Sequence, residues 1–247
     1  MANSPQEWFD ALPKITRFYM TACFATTCMT QFGLLSPRTI YLDFELVFFK
    51  FHFWRLATCF CYVGKFSFHF LVCLLLLGQY GSVLENDPFV AGGGPTADFA
   101  FMLAVGGSVL SIVGFIMGYP FLGEPMIFMI LYVWSRKHTE QQVSFWGFRF
   151  KALYFPWAMI GFTLLTGGDP IPELAGVFAG HVFYFLLEIL PNTKDIHLLR
   201  TPQILINCFP SARPVTGGRP PAAAGAAAAA TGPSRYNWGG GRTLGRD

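Results

Sequence analysis

The chain has 247 residues, of which 53% are apolar and only 13% charged, with 28 phenylalanines and a mean hydropathy of +0.44. That charge content is about half the roughly 25% of an ordinary soluble domain, which excludes a disordered protein, a coiled coil and a typical cytosolic enzyme. The composition predicts a polytopic membrane protein. The net charge of +3 is unevenly spread, because residues 1–190 carry 10 Lys/Arg against 12 Asp/Glu and residues 191–247 carry 7 against 2. On a membrane-embedded body, a basic tail reads as a cytosolic orientation signal and not as a nucleic-acid arm.

The N-terminus is amphipathic, with Trp8, Phe9 and Leu12 beside Glu7 and Asp10. It lacks a basic start before an apolar stretch, so no cleavable signal peptide is expected and the first span serves as an uncleaved anchor. That first span is predicted over about residues 18–35 and ends at Ser36-Pro37. Residues 38–65 mix aromatics with Asp43, Glu45, Lys50, Arg55 and Lys65. This stretch is too charged to span and too aromatic for a free loop, so an in-plane, half-inserted segment is expected.

The second span is predicted over about 66–84, followed by a polar, glycine-rich turn from Glu85 to Ala97. The third, about 98–118, repeats small residues at Ala104, Ser108, Ser111, Gly114 and Gly118, a pattern that lets helices approach closely. The fourth covers about 121–134, with an unusual Glu124-Pro125 near its start. A basic loop from Arg136 to Lys151 leads to the fifth span, about 152–166. Gly167-Gly168-Asp169-Pro170 makes a turn, and the sixth span, about 171–190, closes at Pro191. Glu124 and Glu188 interrupt the apolar stretches. The 17 residues from Leu174 to Leu190 reach about 25 Å at ~1.5 Å each, slightly under an endoplasmic reticulum bilayer core of roughly 27 Å.

Six spans put both termini on one side. The basic loop and basic tail assign that side to the cytosol. The loops at 36–65 and 85–98 carry charge of the opposite sense, so the orientation rests on the tail and on 136–151. From Pro210 to Ser234 the chain is low-complexity, with Arg219-Pro220-Pro221 and an alanine run too short to hold a helix. It reads as a flexible linker with a reach of roughly 30 Å. Trp238 and Leu244, in the glycine-rich segment beyond it, read as anchors for a partner pocket.

Few motifs carry chemistry. Cys23, Cys28, Cys59, Cys61, Cys73 and Cys208 imply no disulfide framework, and Cys59-x-Cys61 lacks the spacing of a redox or zinc site. No H-E-x-x-H, phosphate-binding loop or dinucleotide fingerprint is present, so no metal and no cofactor are expected. Trp54-Arg55 in the in-plane segment is an interface pair, with Trp at the headgroups and Arg within reach of lipid phosphate or an acid. Gly176-x-x-x-Gly180 signals close helix packing. His181 follows it, and an intramembrane His is a functional candidate. A Ser–His dyad needs a serine on a facing helix. The predicted fourth span holds no Ser, Thr or Cys, and Gly106-Gly107-Ser108-Val109 matches G-x-S-x-G only in part. A hydrogen-bonded structural His is expected.

Taken together the residues resemble the derlin family of rhomboid-like pseudoproteases. The matching stretches are Ile15-Thr16-Arg17, Gly33-Leu34-Leu35-Ser36-Pro37, Trp54-Arg55, Leu131-Tyr132-Val133-Trp134, Val143-Ser144-Phe145-Trp146, Arg149-Phe150-Lys151-Ala152 with Pro156-Trp157, and Gly176-x-x-x-Gly180-His181. The end, with Trp238, Gly239, Gly241, Leu244 and Gly245, is similar to the SHP box that binds the valosin-containing AAA ATPase. Arg242 and Thr243 stand where relatives often place an aromatic.

The resemblance implies an all-α membrane protein with a six-helix rhomboid-like domain over 1–191, a cytosolic linker over 192–234, largely disordered from about 210, and an ATPase-binding motif over 235–247. It implies residence in the endoplasmic reticulum membrane and a non-catalytic part in ER-associated degradation, with the protease serine lost. The implied partners are the AAA ATPase, a membrane RING ubiquitin ligase complex, misfolded substrates, membrane lipid and other copies of the chain. It equates Trp54 and Arg55 with the family's WR motif and Gly176 and Gly180 with its GxxxG. The rival readings are an active rhomboid protease using Ser108 and His181, and a small-solute channel, for which only Glu124, His181 and Glu188 qualify as lining groups and no internal repeat is evident.

Overall fold

A computed structural model describes residues 4–87, 89, 92–145, 147–190 and 201–209. All of these belong to the unit Met1–Pro214, and the second unit, Val215–Asp247, lies outside them.

Helices form where the apolar runs predict them. Three are long and apolar enough to cross a membrane: Phe68–Asn86, Pro95–Met117 and Ile171–Ile189. Lys14–Gln31, Gly123–Lys137 and Ala152–Leu165 complete the six, as the first, fourth and fifth in chain order. The fourth has 15 residues, and the α-helical part of the fifth, Phe155–Leu165, has 11. At ~1.5 Å per residue they are about 22 and 17 Å long, well short of a hydrocarbon core of roughly 27–30 Å.

The first helix sits four residues earlier than its apolar run suggests, and the reason is capping. Pro13 opens it without a side-chain cap. A residue from another helix does that work. Glu85 is buried, 1% exposed, and its carboxylate accepts from the amides of Ile15 (3.0 Å) and Thr16 (2.8 Å) and from the Thr16 hydroxyl (2.8 Å). Free amides at a helix start attract an anion. Glu85 therefore belongs to the second helix, not to the turn after it. At the other end Gly33 takes φ 72°. The Leu34 amide then reaches the Met29 carbonyl at 2.9 Å and the Gly33 amide reaches that of Thr30 at 3.2 Å, which is a Schellman stop.

The fourth helix is the centre of the molecule. Residues 125–135 are all buried. The sixth helix reaches it through Gly176 and Gly180. A Cβ at Gly176 would lie 2.3 Å from the Pro125 carbonyl oxygen, and one at Gly180 2.9 Å from Tyr132 Cδ1. The third helix closes in at Gly106, where a Cβ would fall 1.9 Å from Met129 Sδ. Helix backbones come this near only where side chains are absent.

The in-plane stretch is three short helices, Pro37–Ile40, Phe44–Phe49 and Trp54–Thr58. The basic loop after the fourth helix is in part an antiparallel hairpin, β1 (Gln142–Phe145) paired with β2 (Phe148–Lys151). Its register sets Val143 opposite Phe150 and Phe145 opposite Phe148, with Ser144 opposite Arg149 and Gln142 opposite Lys151. Alternation at period two thus makes one apolar face and one polar, basic face. Past residue 200, the helix Gln203–Cys208 packs Leu205 on the core, and the Thr201 hydroxyl donates to buried Asp98. The part of the expected linker from 201 to 209 is therefore docked on the body.

Gly176→Ala is expected to lower stability by about 1–3 kcal/mol through overpacking against the fourth helix. Gly161→Ala, where a Cβ meets nothing within 4 Å, should be neutral or stabilise by up to about 1 kcal/mol through helix propensity. Thermal unfolding of both variants in detergent checks the pair.

Candidate functional site

The Trp54-Arg55 pair splits between two environments. Arg55 is 7% exposed and points inward. Its Nη1 donates to the carbonyls of Arg38 and Tyr41, both at 3.0 Å, and the guanidinium lies over the Tyr41 ring at 5.0 Å. Its hydrogen bonds go to backbone, and the acid within its electrostatic reach is Asp43. Two backbone carbonyls with no helical partner need a fixed donor, and a planar guanidinium supplies one. Arg55 is a staple across residues 38–55.

Beside it, the Tyr41 hydroxyl bonds Asp43 Oδ2 at 2.7 Å and holds that carboxyl below the usual carboxylate range. Asp43 in turn caps the helix Phe44–Phe49 through the amides of Glu45 and Leu46. The loop is seated on the bundle where the Leu42 amide bonds the Pro120 carbonyl at 2.8 Å and the Leu122 amide bonds that of Cys59 at 3.0 Å. Trp54 faces outward, stacked on His52 at 4.4 Å. Phe48, Phe49, Phe51 and Phe53 are exposed with it. An aromatic surface on a pinned loop suits the depth of lipid headgroups.

Gly176 and Gly180 form the seam described above, and His181 stands next to it. His181 Nδ1 pairs with the Tyr132 hydroxyl at 2.8 Å. The serines are occupied elsewhere. Ser108 donates to the Ala104 carbonyl and Ser111 to that of Gly107, each at 2.8 Å. The fourth helix runs three residues beyond its predicted end and so gains Ser135, which is buried and donates to the Tyr132 carbonyl at 2.8 Å. Among the described residues no serine hydroxyl is bonded to His181. The structural reading of His181 is the one its geometry supports.

A polar cluster that the sequence did not single out as a unit joins four helices. His69 Nε2 lies 2.9 Å from Glu124 Oε1, and Cys73 Sγ is 3.4 Å from the same nitrogen. Glu173 is fully buried and accepts a hydrogen bond from Thr163. Of these, only Glu124 stood out as unusual in the sequence. His69 and Cys73 are four apart on the second helix, and that spacing is the signal for a shared face. The tail motif of Trp238, Gly239, Gly241, Leu244 and Gly245 lies outside the described residues.

Removing the staple is expected to loosen the loop without disturbing the bundle. Arg55→Ala gives up hydrogen bonds from a charged donor, a loss of about 1.5–3 kcal/mol. Hydrogen–deuterium exchange should speed up across residues 38–58 and stay unchanged in the fourth and sixth helices. Arg55→Lys, which has no planar group to lie over Tyr41, should fall between the two.

Comparison with known proteins matches these features to one family. The model of the Der1-like family covers residues 12–203. Derlin-1 of Arabidopsis thaliana is 40% identical over 204 residues, covering 81% of this chain and 76% of the relative. Derlin-1 of Oryza sativa subsp. japonica is 39% identical with 81% and 83% covered, and Derlin-2.2 of Arabidopsis thaliana is 37% identical over 232 residues with 89% and 93% covered. With its six apolar helices in one bundle, the chain is a multi-pass membrane protein of the Der1-like, or derlin, family.

Proposed function

We infer that the protein is a non-catalytic component of ER-associated degradation. It sits in the endoplasmic reticulum membrane with both termini in the cytosol and helps misfolded proteins leave for the cytosol. The observation that carries this reading is the shortness of the fifth helix, 11 residues in its α-helical part, which exposes Trp157, Leu164 and Leu165. A bilayer adjusts to a short span by thinning around it. The exposed aromatic face of residues 48–54, held by Arg55, lies in one leaflet and adds to the disturbance. Each polar group of a substrate costs several kcal/mol in hydrocarbon, and a thinner, wetter path lowers that cost.

Thinning gives a path but no direction. The tail supplies direction by recruiting the valosin-containing AAA ATPase through Trp238 and Leu244, next to a membrane RING ubiquitin ligase that marks the substrate. The family membership and the absence of a serine bonded to His181 among the described residues support a body that moves substrates without cutting them.

A pull-down from gently solubilised membranes tests the recruiting step. The wild type should retain the ATPase, and the Trp238→Ala/Leu244→Ala variant should lose it. Burying each large apolar side chain contributes roughly 1.5–3 kcal/mol, so the loss of two should be complete in the assay. Equal capture by both, or by neither, contradicts the tail as the recruiting site.

A further inference from the structure

We propose that His69, Glu124 and Glu173 hold one divalent cation of the zinc class at the end of the bundle where the second, fourth and sixth helices begin. The three side chains come from three different helices, and one ligand atom from each lies within 4.8 Å of the other two. Zinc accepts this donor set, with imidazole nitrogen and carboxylate oxygen at about 2.0–2.2 Å. The 2.9 Å between His69 Nε2 and Glu124 Oε1 is a hydrogen-bond distance, and two ligands on a tetrahedral ion stand about 3.3 Å apart, so a small parting of the pair admits the ion.

Burial supplies the independent argument. Glu173 is 0% exposed, and its Oε2 has no hydrogen-bond partner. Thr163 donates to the other oxygen, Oε1, which fixes the carboxylate and leaves Oε2 for another ligand. A buried carboxylate oxygen with no donor is costly, and binding a cation removes that cost. His69 is already engaged by Glu124, so it does not serve both acids equally. Two carboxylates, a neutral imidazole and one divalent cation sum to zero charge.

The donor set decides the class of ion. Calcium and magnesium take six or more oxygens, which this site does not offer. One imidazole nitrogen beside two carboxylates, with water in the fourth position, suits zinc. The ion would tie the second, fourth and sixth helices together beneath the seat of the in-plane loop. The proposal is independent of the tail and of ATPase recruitment, so its failure leaves the proposed function standing.

The test uses the full chain, purified in detergent without a polyhistidine tag and stripped with a chelator. Zn2+ alone is added and the bound metal is counted after gel filtration. Co2+ serves as a spectroscopic probe of the ligand field. One equivalent of Zn2+ per chain and visible bands of four-coordinate Co2+ are expected. Glu173→Gln and His69→Gln should each abolish both. Thr163→Val should weaken binding about tenfold, as loss of an orienting partner does. Glu188→Gln, on the sixth helix but outside the cluster, should change nothing. Bound metal well below one equivalent, or binding that survives in both Glu173→Gln and His69→Gln, overturns the proposal. If either variant loses its helical circular dichroism, the wild-type Co2+ spectrum decides, and absence of four-coordinate bands overturns the site.

Discussion

The second, third, fifth and sixth helices close around the fourth, while the first helix is held on the second by Glu85. Residues 125–135 of the fourth are buried on all sides, so it has no face for lipid and must be enclosed by its neighbours. Enclosure at this distance is possible only where those neighbours give up side chains, at Gly106, Gly176 and Gly180. Gly123, at the start of the helix, lets the loop backbone come equally near, since a Cβ there would be 2.4 Å from the Tyr62 carbonyl oxygen. The central rod therefore fixes the seat of the in-plane loop.

Charge is placed with the same economy. Glu85 caps the first helix from the second, Arg55 gathers loop carbonyls, and Asp98 holds Thr201 and the Gly93 amide. Each buried polar group answers backbone or hydroxyl groups left over at a helix end or in an irregular segment, where a helix cannot satisfy its own. His181 and Tyr132 satisfy each other in the middle of the bundle. One carboxylate oxygen is left over on Glu173, as on Asp98, and what sets Glu173 apart is the imidazole of His69 and the carboxylate of Glu124 gathered around it from two other helices.

The helix order and the close-packing role of Gly176 and Gly180 were legible in the sequence because both are local. Apolar runs mark helices, and two glycines one turn apart mark a smooth face. The family was legible from many short matches spread along the chain. What depends on partners distant in sequence was not. The carbonyls that bind Arg55 and the amides that bind Glu85 carry no sequence signature of their own. The hairpin was written in the alternation of Gln142–Phe145 and Phe148–Lys151, yet its four charges and polar residues read as a loop. The start of the first helix moved because Glu85, some seventy residues away, caps it. His69, Glu124 and Glu173 sit on separate helices, and only the fold brings them within reach of one ion.

The proposed function requires that this body conduct a protein out of the membrane without cutting it. The direct measurement reconstitutes the chain in vesicles with the ATPase, ATP and a fluorescent ubiquitinated membrane substrate, and follows the length of what leaves. Full-length substrate is expected in the external solution, with release dependent on ATP and unaffected in rate by Ser108→Ala. Release of shortened fragments whose formation stops in Ser108→Ala or His181→Ala would contradict it.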